Sequence, residues 1–213
     1  TRKESSAASD VYKRQIWTGG DEGVYMSRSI DSGESWEQNS IRISPIEVIS
    51  TTFPQVDAGD PGRIAITYLG SENSSELGEP DIDGENWTGN AHYATTNVSY
   101  HLYITLSLNA LDPSPTFYTY RVTDDPVQIG SICLNSGDCR DIGGSNRNLL
   151  DFNDLHIDRE GRVFVAFADG CTDSCASDSN STAEDSRSRR GSVYFLGSGP
   201  SLYDSVGLME MPF

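Results

Sequence analysis

Apolar and polar residues alternate with a period of two in most of the short runs of this chain, and the 3.6-residue periodicity of helices is almost absent. The runs are separated by Gly, Pro, Asn and Asp, which are the residues that favour turns. One run, 63–69, is apolar on both of its faces, which is typical of a strand with a neighbouring sheet on each side. The pattern therefore predicts an all-β protein built from short strands.

Two internal repeats alternate along the chain and predict how the strands are grouped. Residues 53–68 align with 152–167 without a gap, and each copy reads as a strand, a glycine-containing turn and a second strand. A second repeat occurs at 24–29, 102–107 and 193–198. An inner pair of strands followed by an outer pair is the arrangement of the four-stranded blades of a β-propeller. A β-sandwich is the alternative, because a count of strands does not distinguish the two architectures.

The first copy of the second repeat runs into the pattern S-x-D-x-G-x-x-W, formed by Ser29, Asp31, Gly33 and Trp36. The Ser and Asp side chains can bond the backbone of their own turn, and Gly33 adopts a positive φ at little cost. Trp36 can return a large apolar surface to the hairpin. The motif resembles the Asp box of sialidase-like β-propellers at all four defining positions. The resemblance implies a folding device that closes the hairpin between the two outer strands, away from the active site.

The same resemblance predicts how much of a propeller the chain contains. A closed propeller of that family has six blades, and the chain is expected to hold two to three of them. Segments 53–123 and 152–213 are predicted to be nearly whole blades, preceded by the outer half of one more. After Ser107, Asn109 stands where the Asp of a box would lie, which indicates a degraded copy of the motif.

The N-terminal residues 5–15 match the in-frame translation of a transposase-based sequencing-library adapter. The only lysines of the chain, Lys3 and Lys13, lie in or beside this segment. We interpret 1–15 as an artefact outside the fold, and a genuine basic arm is the alternative. Residues 16–213 are then expected to be a fragment of a propeller domain, with the missing blades of the same natural chain as partners.

The charge of the remaining chain argues against a nucleic-acid partner, and its lack of long apolar runs argues against a membrane span. Residues 16–213 carry 11 arginines against 30 acidic residues, a formal charge of −19. A surface this acidic repels nucleic acid, so no nucleic-acid partner is predicted. No run of about 18 apolar residues occurs, so no membrane span is predicted either.

An acidic insertion at 71–99 contains candidate calcium ligands. Asp81, Asp83 and Glu85 alternate around a glycine, which resembles the start of a calcium-binding loop. The distal glutamate of the full calcium loop is absent, and a solvated acidic loop is the interpretation that we favour. We therefore predict no cofactor, with calcium at these three residues as the alternative.

Four cysteines form two close pairs, Cys133 with Cys139 and Cys171 with Cys175. Zinc coordination by all four is the alternative, but these spacings fit the usual zinc motifs poorly. Two local disulfides within loops are predicted, and disulfides indicate an oxidising compartment. Four N-glycosylation sequons, at residues 73, 86, 97 and 180, also fall in predicted loops. An extracellular or cell-surface protein is expected.

Candidate chemistry is limited to one polar group, Arg147, Asp151, Asp154 and His156, next to a predicted inner strand. Residues 154, 156 and 158 should share the face opposite 155 and 157. An arginine with two carboxylates could bind a sugar or act in acid–base catalysis, and an Arg–Asp pair that braces the loop is the alternative.

The resemblance implies, for a catalytic exo-sialidase, three arginines that grip the substrate carboxylate, a Tyr–Glu nucleophile and an acid–base Asp. The arginine motif F/Y-R-I-P of that family does not occur in this chain, and no residue matches the Tyr–Glu pair by motif. The predicted function is therefore an exported carbohydrate- or surface-binding module without a demonstrable catalytic set. The alternative is a fragment of an exo-sialidase or other glycoside hydrolase whose remaining catalytic residues lie on missing blades.

Overall fold

The computed structural model describes residues 12–18, 23–72, 91, 98–132, 149, 153–181, 190–203 and 208–210. Thirteen strands and one four-residue helix occur in these ranges, so the prediction of an all-β protein is confirmed. No described helix has the length and apolar character to cross a membrane. The elements are β1 (Lys13–Thr18), β2 (Val24–Ser29), β3 (Ile41–Arg42), β4 (Ser50–Ala58), β5 (Ile64–Ser71), β6 (Ser99–Ser107), β7 (Tyr118–Arg121), β8 (Gln128–Ile129), β9 (Asn153–Ile157), β10 (Val163–Asp169), α1 (Ser174–Ser177), β11 (Arg190–Phe195), β12 (Ser198–Pro200) and β13 (Leu208–Glu210).

The second sheet is the most complete unit of the molecule. Strands β4, β5, β6 and β7 pair in chain order as an antiparallel meander, and β8 also pairs with β6. This is the four-stranded unit predicted for 53–123. All eight residues of β5 are buried, as expected for a strand that is covered on both faces.

The two glycine-turn hairpins are equivalent position by position, with an offset of 99 residues. Ala58 lies opposite Ile64 in the β4–β5 hairpin, and Ile157 lies opposite Val163 in the β9–β10 hairpin. The glycine of each turn has a left-handed conformation, with φ of 86° at Gly62 and 80° at Gly161. The internal repeat therefore corresponds to a repeated local structure.

The first sheet has the order β1-β2-β3, and β1 begins at Lys13, which lies opposite Ser29. Residues 13–15 of the adapter-like segment thus pair with β2, and the expected boundary at residue 15 falls inside a strand. Arg14 lies directly opposite Arg28, and its Nε and Nη2 atoms are buried without a hydrogen-bond partner. Burial and the nearby Arg28 lower the pKa of Arg14. In the second sheet the equivalent position is occupied by the fully buried Ala65, so an arginine fits poorly here.

The third sheet has the order β11-β10-β9, and β12 and β13 form a separate two-stranded pair. The sequence alignment matched Val193 with Leu102, but the pairing register corrects it. By the offset of 99 residues, Ala166 of β10 is equivalent to Thr67 of β5. Val193 lies opposite Ala166, and Ile104 lies opposite Thr67, so Val193 is equivalent to Ile104. A shift of two residues keeps every side chain on the same face of a strand, which is why the alternation of the sequence did not reveal it.

The three sheets stack face to face in chain order. We call the face of each sheet that is directed toward the next sheet its forward face, and the opposite face its backward face. Val24 and Met26 of the first sheet pack with Ile64, Ile66 and Tyr68 on the backward face of the second. The forward face of the second sheet packs with the backward face of the third in a second core. That core is formed chiefly by Ala65, Leu69, Leu102, Ile104, Leu106, Leu155, Ile157, Val163, Val165 and Phe167. Strand β4 lies against β1 and β9, so the first strands of neighbouring sheets are adjacent.

Candidate functional site

The turn after β2 links Ser29, Asp31 and Gly33 by hydrogen bonds, whereas Trp36, which was predicted to cover the hairpin, is 39% exposed. The hydroxyl of Ser29 donates to Oδ1 of Asp31 (2.7 Å) and accepts from the amide of Gly33 (2.8 Å). The carboxylate of Asp31 accepts from the amide (2.9 Å) and the hydroxyl (2.5 Å) of Ser35. The hydrogen bonds from Ser35, and then that from Ser29, lower the pKa of Asp31 to about 2. Both oxygens of the carboxylate thus hold the turn.

The predicted degraded copy of the motif has a similar set of hydrogen bonds. The amide of Asn109 donates to the hydroxyl of Ser107 (3.4 Å), as the amide of Asp31 does to Ser29 (3.4 Å). The side-chain oxygen of Asn109 accepts from the amide of Thr116 at 2.9 Å. An amide oxygen therefore replaces a carboxylate oxygen at the centre of the second turn.

Arg28 joins these two turns. Its guanidinium donates to both carboxylate oxygens of Glu37, at 2.7 and 2.5 Å. The remaining nitrogen, Nη1, donates to the carbonyls of Ala110 (2.9 Å) and Asp112 (2.6 Å). The side chain is buried, so this contact fixes the first sheet to the second and is structural.

The polar group predicted near β9 is only partly within the described residues. Arg147 and Asp151 lie outside them. Asp154 and His156 lie on one exposed face of β9, and Leu155 and Ile157 are buried on the other, as predicted. Asp154 accepts from the amide of Leu155 (2.9 Å), and the largely exposed His156 places Nδ1 3.9 Å from Oδ2 of Asp57. Residues two apart in a strand lie on the same face, with a separation of about 7 Å along the strand. At that spacing Asp154 and His156 share a face without forming an acid–base pair.

A shallow cavity of about 570 Å³ lies on the third sheet and includes Asp154. Its floor is formed by small residues, because Ala166, Ala168 and Gly191 project little from the strands. The remaining lining residues are Asn153, Phe167, Ser192 and Val193. The cavity is thus a concave surface that carries one carboxylate.

A Tyr–Glu pair that the sequence analysis missed lies between the first two sheets. The hydroxyl of Tyr103 donates to Oε1 of Glu72 at 2.7 Å, and the ring stacks on Tyr68 with centroids 5.5 Å apart. Tyr103 is only 3% exposed, and burial followed by the hydrogen bond to Glu72 raises its pKa. A buried phenol with a raised pKa is a poor nucleophile. Glu72 lies four residues beyond Tyr68, the cross-strand neighbour of Tyr103, and that spacing is the only signal that the sequence offered for the pair.

His101 lies beside this pair. Its Nδ1 atom is 3.1 Å from the carbonyl of Thr123. Burial lowers the pKa of His101. A neutral, partly buried histidine that is held by a backbone carbonyl is consistent with a structural role.

The cysteine prediction is confirmed for one pair. Cys171 and Cys175 form a disulfide with a Cα–Cα distance of 5.1 Å, and both are buried beside Ile129. Cys133 and Cys139 lie outside the described residues, as do the calcium candidates Asp81, Asp83 and Glu85. Among the residues that the structure describes, no group of His, Cys, Asp and Glu side chains could hold a metal ion.

Searches against protein-family models, curated proteins and solved structures returned no match for this chain.

Proposed function

We propose that this chain is part of an exported, Asp-box β-propeller that serves as a carbohydrate- or surface-binding module. The observation that carries the proposal is the repeated stacking of antiparallel sheets by equivalent faces, with the first strand of each sheet next to that of its neighbour. Propeller blades are arranged in this way around a central axis. The hydrogen-bonded turn at Ser29 and Asp31, between β2 and β3, also supports the proposal.

Export is supported by the disulfide between Cys171 and Cys175. Disulfides form and persist in oxidising compartments such as the extracellular space. Asn180, which belongs to one of the predicted sequons, is exposed beyond α1, where a glycosyltransferase could reach it.

Carbohydrate binding is supported by two exposed aromatic side chains. Tyr118 and Tyr120 on β7 are 52% and 55% exposed and, being two residues apart, lie on the same face of the strand. An exposed tyrosine presents an apolar ring face and a polar hydroxyl, and sugars present apolar C–H faces together with hydroxyls. The pair is a candidate stacking surface for a glycan.

Binding is tested with an array of immobilised neutral and sialylated glycans. We expect concentration-dependent binding to at least one class of glycan, and Tyr118→Ala and Tyr120→Ala should each weaken it about tenfold, the effect of losing about 1.4 kcal/mol. Ile30→Ala, at a position 68% exposed outside any strand, is the matched control. An array without signal, or binding that both tyrosine variants retain in full, contradicts the proposal.

The hydrolase alternative is tested separately with a fluorogenic sialoside. We expect no turnover, because Tyr103 is 3% exposed with a raised pKa and because Asp154 and His156 are not joined. General acid–base assistance alone supplies only about 10²- to 10⁴-fold rate enhancement. Turnover that is lost on Arg147→Ala or Asp151→Ala would establish the hydrolase instead.

A further inference from the structure

The outer part of the interface between the second and third sheets leaves aromatic side chains in solvent. Tyr118 and Tyr120 on β7 lie opposite Leu106 and Ile104, so they are on the forward face of the second sheet. The two tyrosines are 52% and 55% exposed, whereas Ile104 and Leu106 are 6% and 4% exposed. The forward face is therefore buried on β6 and becomes an open aromatic surface one strand further out.

Tyr194 provides an exposed aromatic side chain on the opposing sheet. It lies opposite Val165 on the backward face of the third sheet, and its ring meets that of Phe167 edge-on, with centroids 5.3 Å apart. Phe167 belongs to the core between the second and third sheets, whereas Tyr194 is 43% exposed. Tyr194 thus extends this core outward into solvent, on the face that is directed toward the second sheet.

The pairing register places the three tyrosines at one level along the strands. Tyr194 of β11 is equivalent to Thr105 of β6, and Thr105 lies opposite Thr119. In β7, Thr119 stands between Tyr118 and Tyr120. Because sheets that pack face to face lie about 10 Å apart, the three rings border one opening between the sheets. We call this opening the tyrosine rim, formed by Tyr118, Tyr120 and Tyr194.

Carboxylates lie at one end of the tyrosine rim. Asp124 and Asp125 follow β7 and are exposed. Burial, and to a smaller extent the neighbouring Asp125, raise the pKa of Asp169 at the end of β10, so Asp125 lies close to the third sheet. Arg190 lies opposite Asp169, and one of its nitrogens is 4.0 Å from a carboxylate oxygen of Asp173. These four acidic residues outnumber the one arginine, so this end of the rim is negative.

We propose that the tyrosine rim binds a glycan whose sugars carry free, protonated amino groups. This inference rests on the proposed carbohydrate binding and names the class of sugar. The apolar C–H faces of the sugars stack on the exposed rings. A protonated amine is attracted to the face of a tyrosine ring and to the carboxylates of Asp124 and Asp125. Sialylated and other anionic glycans are disfavoured, because the chain has a formal charge of −17 and repels them.

Two β-linked oligosaccharides of equal length, one of glucosamine and one of N-acetylglucosamine, provide a matched pair of ligands. Acetylation removes the ionisable amine and keeps the sugar ring. Isothermal titration calorimetry of the full 213-residue chain measures both at mildly acidic pH, where the amines are protonated and exposed carboxylates are ionised. At low salt the amino form should bind about two- to fivefold more tightly, the effect of an exposed charge pair. This advantage should disappear toward 1 M salt, where the Debye length is about 3 Å.

Variants separate stacking on the rings from attraction to the carboxylates. Tyr194→Ala removes a ring of the rim and should weaken the binding of both oligosaccharides about tenfold. Asp124→Asn combined with Asp125→Asn should weaken the binding of the amino form alone, because the acetylated form carries no charge. Ile30→Ala, in the turn after β2, should bind both oligosaccharides like the unchanged chain. Circular dichroism of each variant verifies that the fold is retained.

The other outcomes are distinguishable from one another. If the acetylated form binds as tightly as the amino form at low salt, carbohydrate binding stands and the preference for amines is overturned. If neither form binds, this inference is overturned, and the glycan array decides the proposed function separately. Tighter binding of a sialic acid oligosaccharide overturns the inference as well. Oligolysine that binds the unchanged chain and loses affinity with Tyr194→Ala would identify a site for cationic peptides instead.

Discussion

Gly161→Ala should destabilise the protein substantially more than Gly62→Ala, although the two glycines are equivalent. Both have left-handed φ, 80° and 86°, so either substitution costs about 1–2 kcal/mol for an L-residue in this conformation. Around Gly62 a Cβ would meet nothing closer than 3.7 Å. At Gly161 it would lie 2.8 Å from the amide of Leu202 and 2.9 Å from that of Tyr203.

The difference arises because 201–203 passes over the turn of the third sheet. The amide of Leu202 donates to the carbonyl of Gly161 at 3.0 Å, and a methyl group at Gly161 would displace that backbone. Overpacking typically costs about 1–3 kcal/mol, so the total for Gly161→Ala is about 2–5 kcal/mol. Gly59→Ala isolates the steric part, because Gly59 does not have positive φ and its Cβ would collide with the carbonyl of Leu202.

Chemical denaturation in urea measures all three variants, with the free energy of unfolding extrapolated to water. The expected order of destabilisation places Gly161→Ala above Gly62→Ala by about 1–3 kcal/mol. Equal losses for the two equivalent glycines would refute the close passage of 201–203. A smaller loss for Gly161→Ala would refute it as well.

Three further substitutions test a buried arginine of the first sheet, the contact of Arg28 with the second sheet, and the turn after β2. Arg14→Ala should raise the free energy of unfolding by about 1–3 kcal/mol, because it removes a buried, incompletely bonded guanidinium opposite Arg28; unchanged or lower stability in urea would contradict this. Arg28→Ala should lower it by a similar amount, about 1–3 kcal/mol, through the loss of bonds to the carbonyls of Ala110 and Asp112, and no loss in the same assay would show that the join is dispensable. Asp31 has a folded-state pKa depressed to about 2, so its stabilising contribution is present above about pH 4 and is lost as the pH falls toward 2. Asp31→Asn should therefore flatten the acid limb of the stability profile, and an unaltered acid limb in a series of thermal melts would count against the role of the carboxylate.

The sequence was sufficient to predict structure that depends on local pattern. The alternation of apolar residues, the all-β class and the equivalent hairpins at 53–68 and 152–167 all follow from side-chain periodicity and glycine placement, which act within a few residues. The turn at Ser29 could be predicted for the same reason, because its hydrogen bonds join residues no more than four apart in sequence. The short disulfide loop at Cys171 belongs to this class too.

Long-range placement could not be predicted in this way. The register of β11 differs by two residues from the sequence alignment, and the alternating pattern is blind to such a shift because side chains return to the same face. Arg28 could not be assigned its role either, since its partners Ala110 and Asp112 lie on another sheet more than 80 residues away.

The candidate site shows the same difference between local pattern, which the sequence predicts, and long-range placement, which it does not. Sequence proximity suggested that Asp154 and His156 act together, but a strand places them side by side on an open face without joining them. The hydrogen bond between Tyr103 and Glu72 joins a buried phenol to an exposed carboxylate. Reactivity requires both a partner and access for the substrate. The Tyr103 hydroxyl has a partner but is buried, whereas Asp154 and His156 are exposed but not joined to each other. What the described surface does offer is exposed aromatic area, at Tyr118, Tyr120 and Tyr194. Surfaces of that kind gain affinity from contact area and ring geometry, which is the basis on which we propose recognition as the role of these residues.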